Sequence, residues 1–136
     1  MLAIPGGVLG AVVDHCRAQA PVEACGIIAG WPGGLPTRVI PMANAEASEH
    51  LWRFHREQQL AVWRELDERG EDPLVIWHSH PTSPARPSRA DIQLAGEPGA
   101  HHLIVSLAGA EPTARAWRIR DGNAVEDELT VVTMEV

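Results

Sequence analysis

The chain has 136 residues, 45% of them hydrophobic and 21% charged, a composition that supports one domain with one core and excludes a long disordered tract. Its net charge of −7 argues against a nucleic-acid binder, whose footprint is a basic face, and all 11 basic residues are Arg, so no lysine amine exists for Schiff-base or isopeptide-acceptor chemistry. No window approaches the roughly 20 apolar residues of a membrane helix, and the opening stretch lacks the basic n-region of a signal peptide, so the cytoplasm is the expected compartment.

Val8, Leu9, Val12, Val13 and Cys16 recur near helical spacing between Pro5 and Ala20, and Pro21 stops them, which predicts a first helix. Ala24 to Ala29 is a short apolar run closed by Gly30, the pattern of a buried strand. Trp31-Pro32-Gly33-Gly34 reads as a turn and Thr37 to Ala43 as the returning strand, with a polar loop at 45–50. Leu60, Trp63 and Leu66 mark a second helix from about His55 to Arg69, which Gly70 ends. Leu74 to Trp77 is an apolar strand that runs into His78-Ser79-His80. Pro81, Pro84 and Pro87 punctuate the next loop, and a short helix follows from Ser88 to about Ala95. Residues 102–107, 114–120 and 129–132 read as strands separated by turns at Gly109 and Asp121-Gly122. The expected fold class is therefore α/β: a mixed β-sheet flanked by helices, in a single domain over 1–136.

Cys16 and Cys25 form neither a disulfide framework nor a CxxC metal site. Two reduced, buried side chains are the expectation, with a local disulfide as the alternative.

The chemistry concentrates in His78-Ser79-His80-Pro81, six further residues, and Ser88-Arg89-Ala90-Asp91. Strand alternation puts His78 and His80 on one face and turns Ser79 away. Imidazole nitrogens and a carboxylate oxygen suit zinc, and two His with one Asp leave a fourth tetrahedral position for water. The prolines restrict the loop and reduce the entropy lost when it folds back over the strand end. Taken alone, His-x-His also occurs on strands without a metal, and Ser88-x-x-Asp91 also reads as a capping box with Asp in place of Glu. The residues by themselves leave both readings open. The adjacent pair His101-His102 points to opposite faces and is expected to be structural.

His-x-His-Pro, six residues, Ser-x-x-Asp resembles the signature of the JAMM (MPN+, Mov34/PAD-1) metallopeptidases. The upstream segment Pro21-Val22-Glu23-Ala24-Cys25-Gly26 resembles the glutamate-bearing strand of that family. Asn44 and Arg53-Phe54 are weaker matches, and Val75-Ile76-Trp77 departs from the pattern where a glycine is frequent near position 76. The resemblance spans nearly the whole chain and implies a fold similar to the cytidine-deaminase layout, with one zinc ion held by His78, His80 and Asp91. It further implies Glu23 as general base and acid and Ser88 as oxyanion donor, a hydroxyl expected to be divided between that task and capping the helix.

Members of that family hydrolyse a peptide or isopeptide bond after the Gly-Gly end of a ubiquitin-like β-grasp protein. The compact length resembles the stand-alone prokaryotic members, some of which trim a sulfur-carrier protein. That resemblance implies such a carrier as partner, with the extended tail adding beside the sheet. The five tryptophans read mostly as core; Trp31 and Trp52, in turn and loop segments, are the better candidates for contacts to substrate, and residues 44–54 a candidate loop over the groove. Two other classes compete: a non-catalytic MPN-type scaffold, which would lack a ligand or the glutamate, and a zinc deaminase, which would use cysteine ligands.

Overall fold

The computed structural model describes residues 1–133. The chain begins with β1 (Leu2–Pro5) and α1 (Gly6–Gln19), followed by the hairpin β2 (Cys25–Gly30) and β3 (Arg38–Met42). Next come α2 (Arg56–Arg69), β4 (Asp72–His80) and α3 (Arg89–Leu94). The chain closes with β5 (His101–Ser106), β6 (Thr113–Arg120), β7 (Asn123–Asp127) and β8 (Leu129–Val132). Among the described residues no helix is long and apolar enough to cross a membrane.

Six strands form one sheet in the order β3-β2-β4-β5-β6-β7. Every neighbouring pair is antiparallel except β4 and β5, which run parallel and are joined through the segment carrying α3. A parallel pair cannot be closed by a tight turn, so the connection must travel the length of the strands. Here that long connection brings Ser88 and Asp91 back to the carboxyl end of β4.

Alternation sorts the side chains of the sheet into two cores. Ile28, Val75, Trp77, Leu103 and Val105 face Val12 and Cys16 of α1, along with Leu2 and Ile4 of β1. Cys25, Ile27, Ile76 and Met42 face Leu66 of α2 and Phe54. A third cluster of Ile104, Trp117 and Ile119 packs under Ala85 and Ile92, beneath the proline loop and α3. Gly70 ends α2 at φ 70°, with the Glu71 N–H donating to the Leu66 carbonyl, the left-handed cap its residue type allows.

Three features depart from the sequence expectation. β1 precedes the first helix, and β7 occupies a stretch read as loop; both are short and carry too few alternations to register as strands. β8 does not continue the main sheet but pairs in parallel with β1, Leu2 opposite Leu129, a pairing between chain ends that no local pattern encodes. The Trp77 that stands near the family's usual glycine is accommodated from across the ladder. Gly26 lies directly opposite, a Cβ there would collide with the indole, and Trp77 Nε1 donates to the Ile27 carbonyl at 3.1 Å.

Candidate metal centre

β4 runs directly into its two histidines with the alternation intact, so His78 and His80 share the face of Ile76, and Ser79 turns to the face of Trp77. There the Ser79 hydroxyl accepts the Ala24 N–H at 2.8 Å, tying β4 to the segment that carries Glu23. Both imidazoles are buried, His78 to 2% and His80 to 5% exposure, which makes any charge left unpaired between them costly.

The arrangement of protons within this site identifies what it can hold. His80 Nδ1 lies 2.8 Å from the Pro84 carbonyl, which can only accept, so Nδ1 carries the hydrogen and Nε2 presents its lone pair. That Nε2 sits 3.2 Å from His78 Nε2, and both lie 3.1 Å from Asp91 Oδ2. Two imidazole nitrogens and a carboxylate oxygen thus converge on one point. From the residues themselves a single proton is the only positive charge that could sit among them; this donor set suits a zinc-like cation. Burial opposes charge on Asp91, but the contacts with the two imidazoles and the hydrogen bond from the Ser88 N–H outweigh it and hold the carboxyl well below its ordinary range. Burial pulls the His78 imidazole down; on His80 the same burial is outweighed by Asp91 and the Pro84 carbonyl, and its value rises.

Glu23 approaches from the segment that leads into β2, the antiparallel neighbour of β4. Its carboxylate lies with the ring nitrogens of His78 and His80 in a group whose ligand atoms are all within 4.8 Å of one another. It is 4% exposed and Oε1 has no hydrogen-bond partner. Burial, with Asp91 adding repulsion and His80 opposing, raises its carboxyl to about 7. Its backbone is fixed at both ends: the N–H donates to the Ser48 carbonyl at 2.9 Å, and the carbonyl accepts Asn44 Nδ2 at 3.0 Å. The same Asn44 amide nitrogen reaches the Leu51 carbonyl, and Asn44 Oδ1 accepts the N–H of Glu46 and of Arg53. Asn44 is therefore the bracket between Glu23 and the 44–54 loop.

Ser88 caps α3 in a complete capping box: its hydroxyl accepts the Asp91 N–H at 3.0 Å, and Asp91 Oδ2 accepts the Ser88 N–H at 2.9 Å. The cap uses a lone pair of Oγ, and the hydroxyl hydrogen stays free to be donated. Trp52 closes one side. Its ring stacks on His78 with centroids 5.1 Å apart and planes at 25°, and its Nε1 donates to Asp91 Oδ1 at 3.3 Å.

The proline loop cannot stabilise itself through N–H groups it lacks, and side chains from β4, β5 and β6 hold it instead. Three successive carbonyls are captured: Ser83 by the Ser106 hydroxyl at 2.6 Å, Pro84 by His80 at 2.8 Å, and Ala85 by Trp117 Nε1 at 3.0 Å. Sequence reasoning missed Ser106 and Trp117, whose link to the loop exists only through the sheet.

The structure brings Glu23, His78, His80, Ser88, Asp91 and Trp52 together. It does not bring Trp31, which stands at the far end of β2, 65% exposed, with its ring near Gly70; the expected substrate contact there is not supported. Cys16 and Cys25 are free and belong to the cores on opposite faces of the sheet, and burial pushes both thiols up to about 12. The disulfide alternative falls with that placement.

The chain is similar to known proteins over nearly its whole length. The family model described as prokaryotic homologs of the JAB domain matches residues 5–120. The chain is 42% identical over 134 residues to the CysO-cysteine peptidase of Mycobacterium tuberculosis, covering 97% of this chain and 92% of that one. It is 30% identical over 112 residues to the desampylase of Haloferax volcanii, covering 78% and 80% respectively. A solution structure from Desulfitobacterium hafniense superposes with a TM-score of 0.87 at 30% identity, covering 98% of this chain and 94% of that one. With a family model matching residues 5–120 and a relative 42% identical over 97% of its length, the chain belongs to the prokaryotic JAB-domain family.

Proposed function

We propose that the chain is a cytoplasmic zinc metallopeptidase, one domain over its 136 residues, that hydrolyses the bond after the C-terminal Gly-Gly of a ubiquitin-like or sulfur-carrier protein. The observation that carries this reading is the convergence of three buried lone-pair donors beside a carboxylate with an unpartnered oxygen. His78, His80 and Asp91 would hold one Zn²⁺. Bound there, zinc supplies Lewis acidity, which brings the pKa of water toward roughly 7 and polarises the carbonyl to be cut.

The chain's own residues do the rest. Glu23, raised to about 7, takes the water proton near neutral pH and returns it to the leaving amine through Oε1, whose bonding capacity the fold leaves unspent. Ser88 donates its free hydroxyl hydrogen to the developing oxyanion. Trp52 keeps water from one side of His78 and fixes Asp91 by its second oxygen. The names of the relatives, a CysO-cysteine peptidase and a desampylase, support a carrier protein as substrate. A non-catalytic scaffold would have no use for an intact set of three ligands with a buried, destabilising Glu23. A deaminase would need thiolate ligands, and Cys16 and Cys25 lie in the cores with their thiols held protonated.

The test is incubation of the zinc-loaded protein with β-grasp carriers bearing residues beyond Gly-Gly, followed by mass spectrometry. Release of those residues, abolished by chelation, is expected. Cleavage of unrelated peptides with every carrier left intact would sink the substrate assignment.

A further inference from the structure

Glu23 is placed by a loop rather than by the sheet. The β2 ladder begins two residues later, with Cys25 opposite Met42 on one side and His78 on the other. Ala24 is still held on β4, its N–H donating to the Ser79 hydroxyl and its carbonyl accepting the Ser79 N–H at 3.0 Å. One residue further out, the peptide groups of Glu23 turn to the 44–54 loop, the N–H to the Ser48 carbonyl and the carbonyl to Asn44 Nδ2. Of these two partners, only Asn44 acts through its side chain. At the far end of the Glu23 side chain, Oε1 is buried without a hydrogen-bond partner, so the aim of the carboxylate is inherited from its backbone.

Asn44 is half-buried, and its amide is used to capacity. Nδ2 donates to the carbonyls of Glu23 and Leu51, and Oδ1 accepts the N–H of Glu46 and of Arg53. The bond from Glu46 is an ordinary Asx turn; the other three are not local. Exchanging the amide oxygen and nitrogen would set donor against donor and acceptor against acceptor at all four partners, so one orientation is fixed. Leu51 and Arg53 flank Trp52, whose ring stacks on His78 and whose indole hydrogen goes to Asp91. A short line of contacts thus runs from the Glu23 backbone through Asn44 and Trp52 to two of the three residues at the centre.

Resting on the reading of Glu23 as general base, we infer that Asn44 is a positioning residue that registers this base against the metal ligands. It touches neither substrate nor metal and acts through the direction it gives the Glu23 carboxylate. The sheet fixes His78 and His80, whereas the amide of Asn44 fixes the base relative to them.

The experiment measures turnover of a β-grasp carrier extended beyond Gly-Gly by the zinc-loaded protein, with Asn44→Asp and Asn44→Ala placed in the wild type and in Glu23→Gln. Asn44→Asp is isosteric and keeps the acceptor serving Glu46 and Arg53 but brings no hydrogen to the Glu23 carbonyl; Asn44→Ala adds no charge. Either should lower kcat by about 10–100-fold with KM unchanged. In Glu23→Gln the same substitutions should alter the residual rate by no more than about threefold, since the carboxylate they position is gone. Gln58→Ala, which removes the neighbouring bond to the Ala43 N–H and touches no part of the Glu23 bracket, should leave kcat within about twofold. A second readout needs no turnover: the visible spectrum of the Co²⁺-loaded protein should shift with Asn44→Asp in the wild type and stay unchanged in Glu23→Gln. Equal losses in both backgrounds, a Gln58→Ala loss as large as that of Asn44→Ala, or loss of the metal from both Asn44 variants would overturn the inference and leave the peptidase reading standing. If no carrier is cut, the peptidase reading falls and the spectra still decide: a spectrum indifferent to Asn44, or shifted alike in both backgrounds, rejects the positioning role.

Discussion

Two histidine pairs lie side by side in this sheet, and they have opposite fates. His78 and His80, two apart on β4, present their Nε2 atoms to one another and to Asp91 with no hydrogen settled among them. His101 and His102, adjacent on β5, are split by the same alternation. His101 Nδ1 bonds Asp127 at 2.8 Å while its Nε2 meets Arg118 at 3.1 Å, so both ring nitrogens are spent. His102 turns inward, 3% exposed, where burial lowers it to about 4 and keeps it neutral. Histidine content does not by itself bring ring nitrogens together; a spacing of two on one strand face, with a backbone carbonyl that fixes the tautomer, does.

The sharpest break in that comparison is removal of a ligand. Asp91→Ala or His80→Ala should abolish stoichiometric zinc, measured by elemental analysis of the purified protein, and activity with it, whereas His101→Ala should retain both. Retained zinc in Asp91→Ala would remove the aspartate from the ligand set.

Glu23→Gln comes next. It should keep zinc and lose about 10²–10⁴-fold in kcat. The substitution has a second consequence of opposite sign. The Glu23 carboxyl rises from 4.5 to about 7 on folding, so its contribution to stability is present below pH 4.5 and lost as pH rises through 7. Buried His102, lowered to about 4, pulls both proteins the opposite way, so the Glu23 contribution is read by difference: metal-free Glu23→Gln should gain melting temperature relative to the metal-free wild type as pH rises across that window. Parallel melting curves from pH 4.5 to 8 would show that Glu23 is not buried at the expense of stability.

A smaller effect is expected at Trp117. Trp117→Phe removes the hydrogen bond to the Ala85 carbonyl with little change in volume, and should weaken zinc about tenfold by loosening the Pro84 carbonyl that orients His80. Competition with a chelator measures it, and Ser106→Ala, acting one residue before Pro84, should behave alike. The smallest effect belongs to the second histidine pair: His101→Ala should cost about 1–3 kcal/mol in urea denaturation, the loss of a hydrogen bond to a charged partner, with no change in zinc affinity.

Much of this was legible before any coordinates. Alternation predicted that His78 and His80 face together and that Ser79 turns away, because the period of a strand is a local property. The helix ends at Pro21, Gly70 and Ser88 were readable from single residues with specific backbone or capping demands. Trp31 and Trp52 were equivalent in sequence, both aromatic and both in irregular segments, and the sheet separated them: β2 carries Trp31 to the end away from the site, and the 44–54 loop carries Trp52 onto His78. β8 was legible as a strand at 129–132 but its partner was not, and β7 was passed over, because strands of four and five residues hold too few alternations to declare a face or a partner.

The sequence by itself determined which donor residues are present, their order and the face on which two of them lie, since each follows from bonding over a few residues. Only the tertiary structure decided that Glu23 stands beside them from the segment leading into β2, that β6 and β5 reach back to grip the proline loop, and that a cavity adjoins His78 and Asp91. Those depend on which strands become neighbours, and neighbours are chosen by the burial of whole faces rather than by any residue alone.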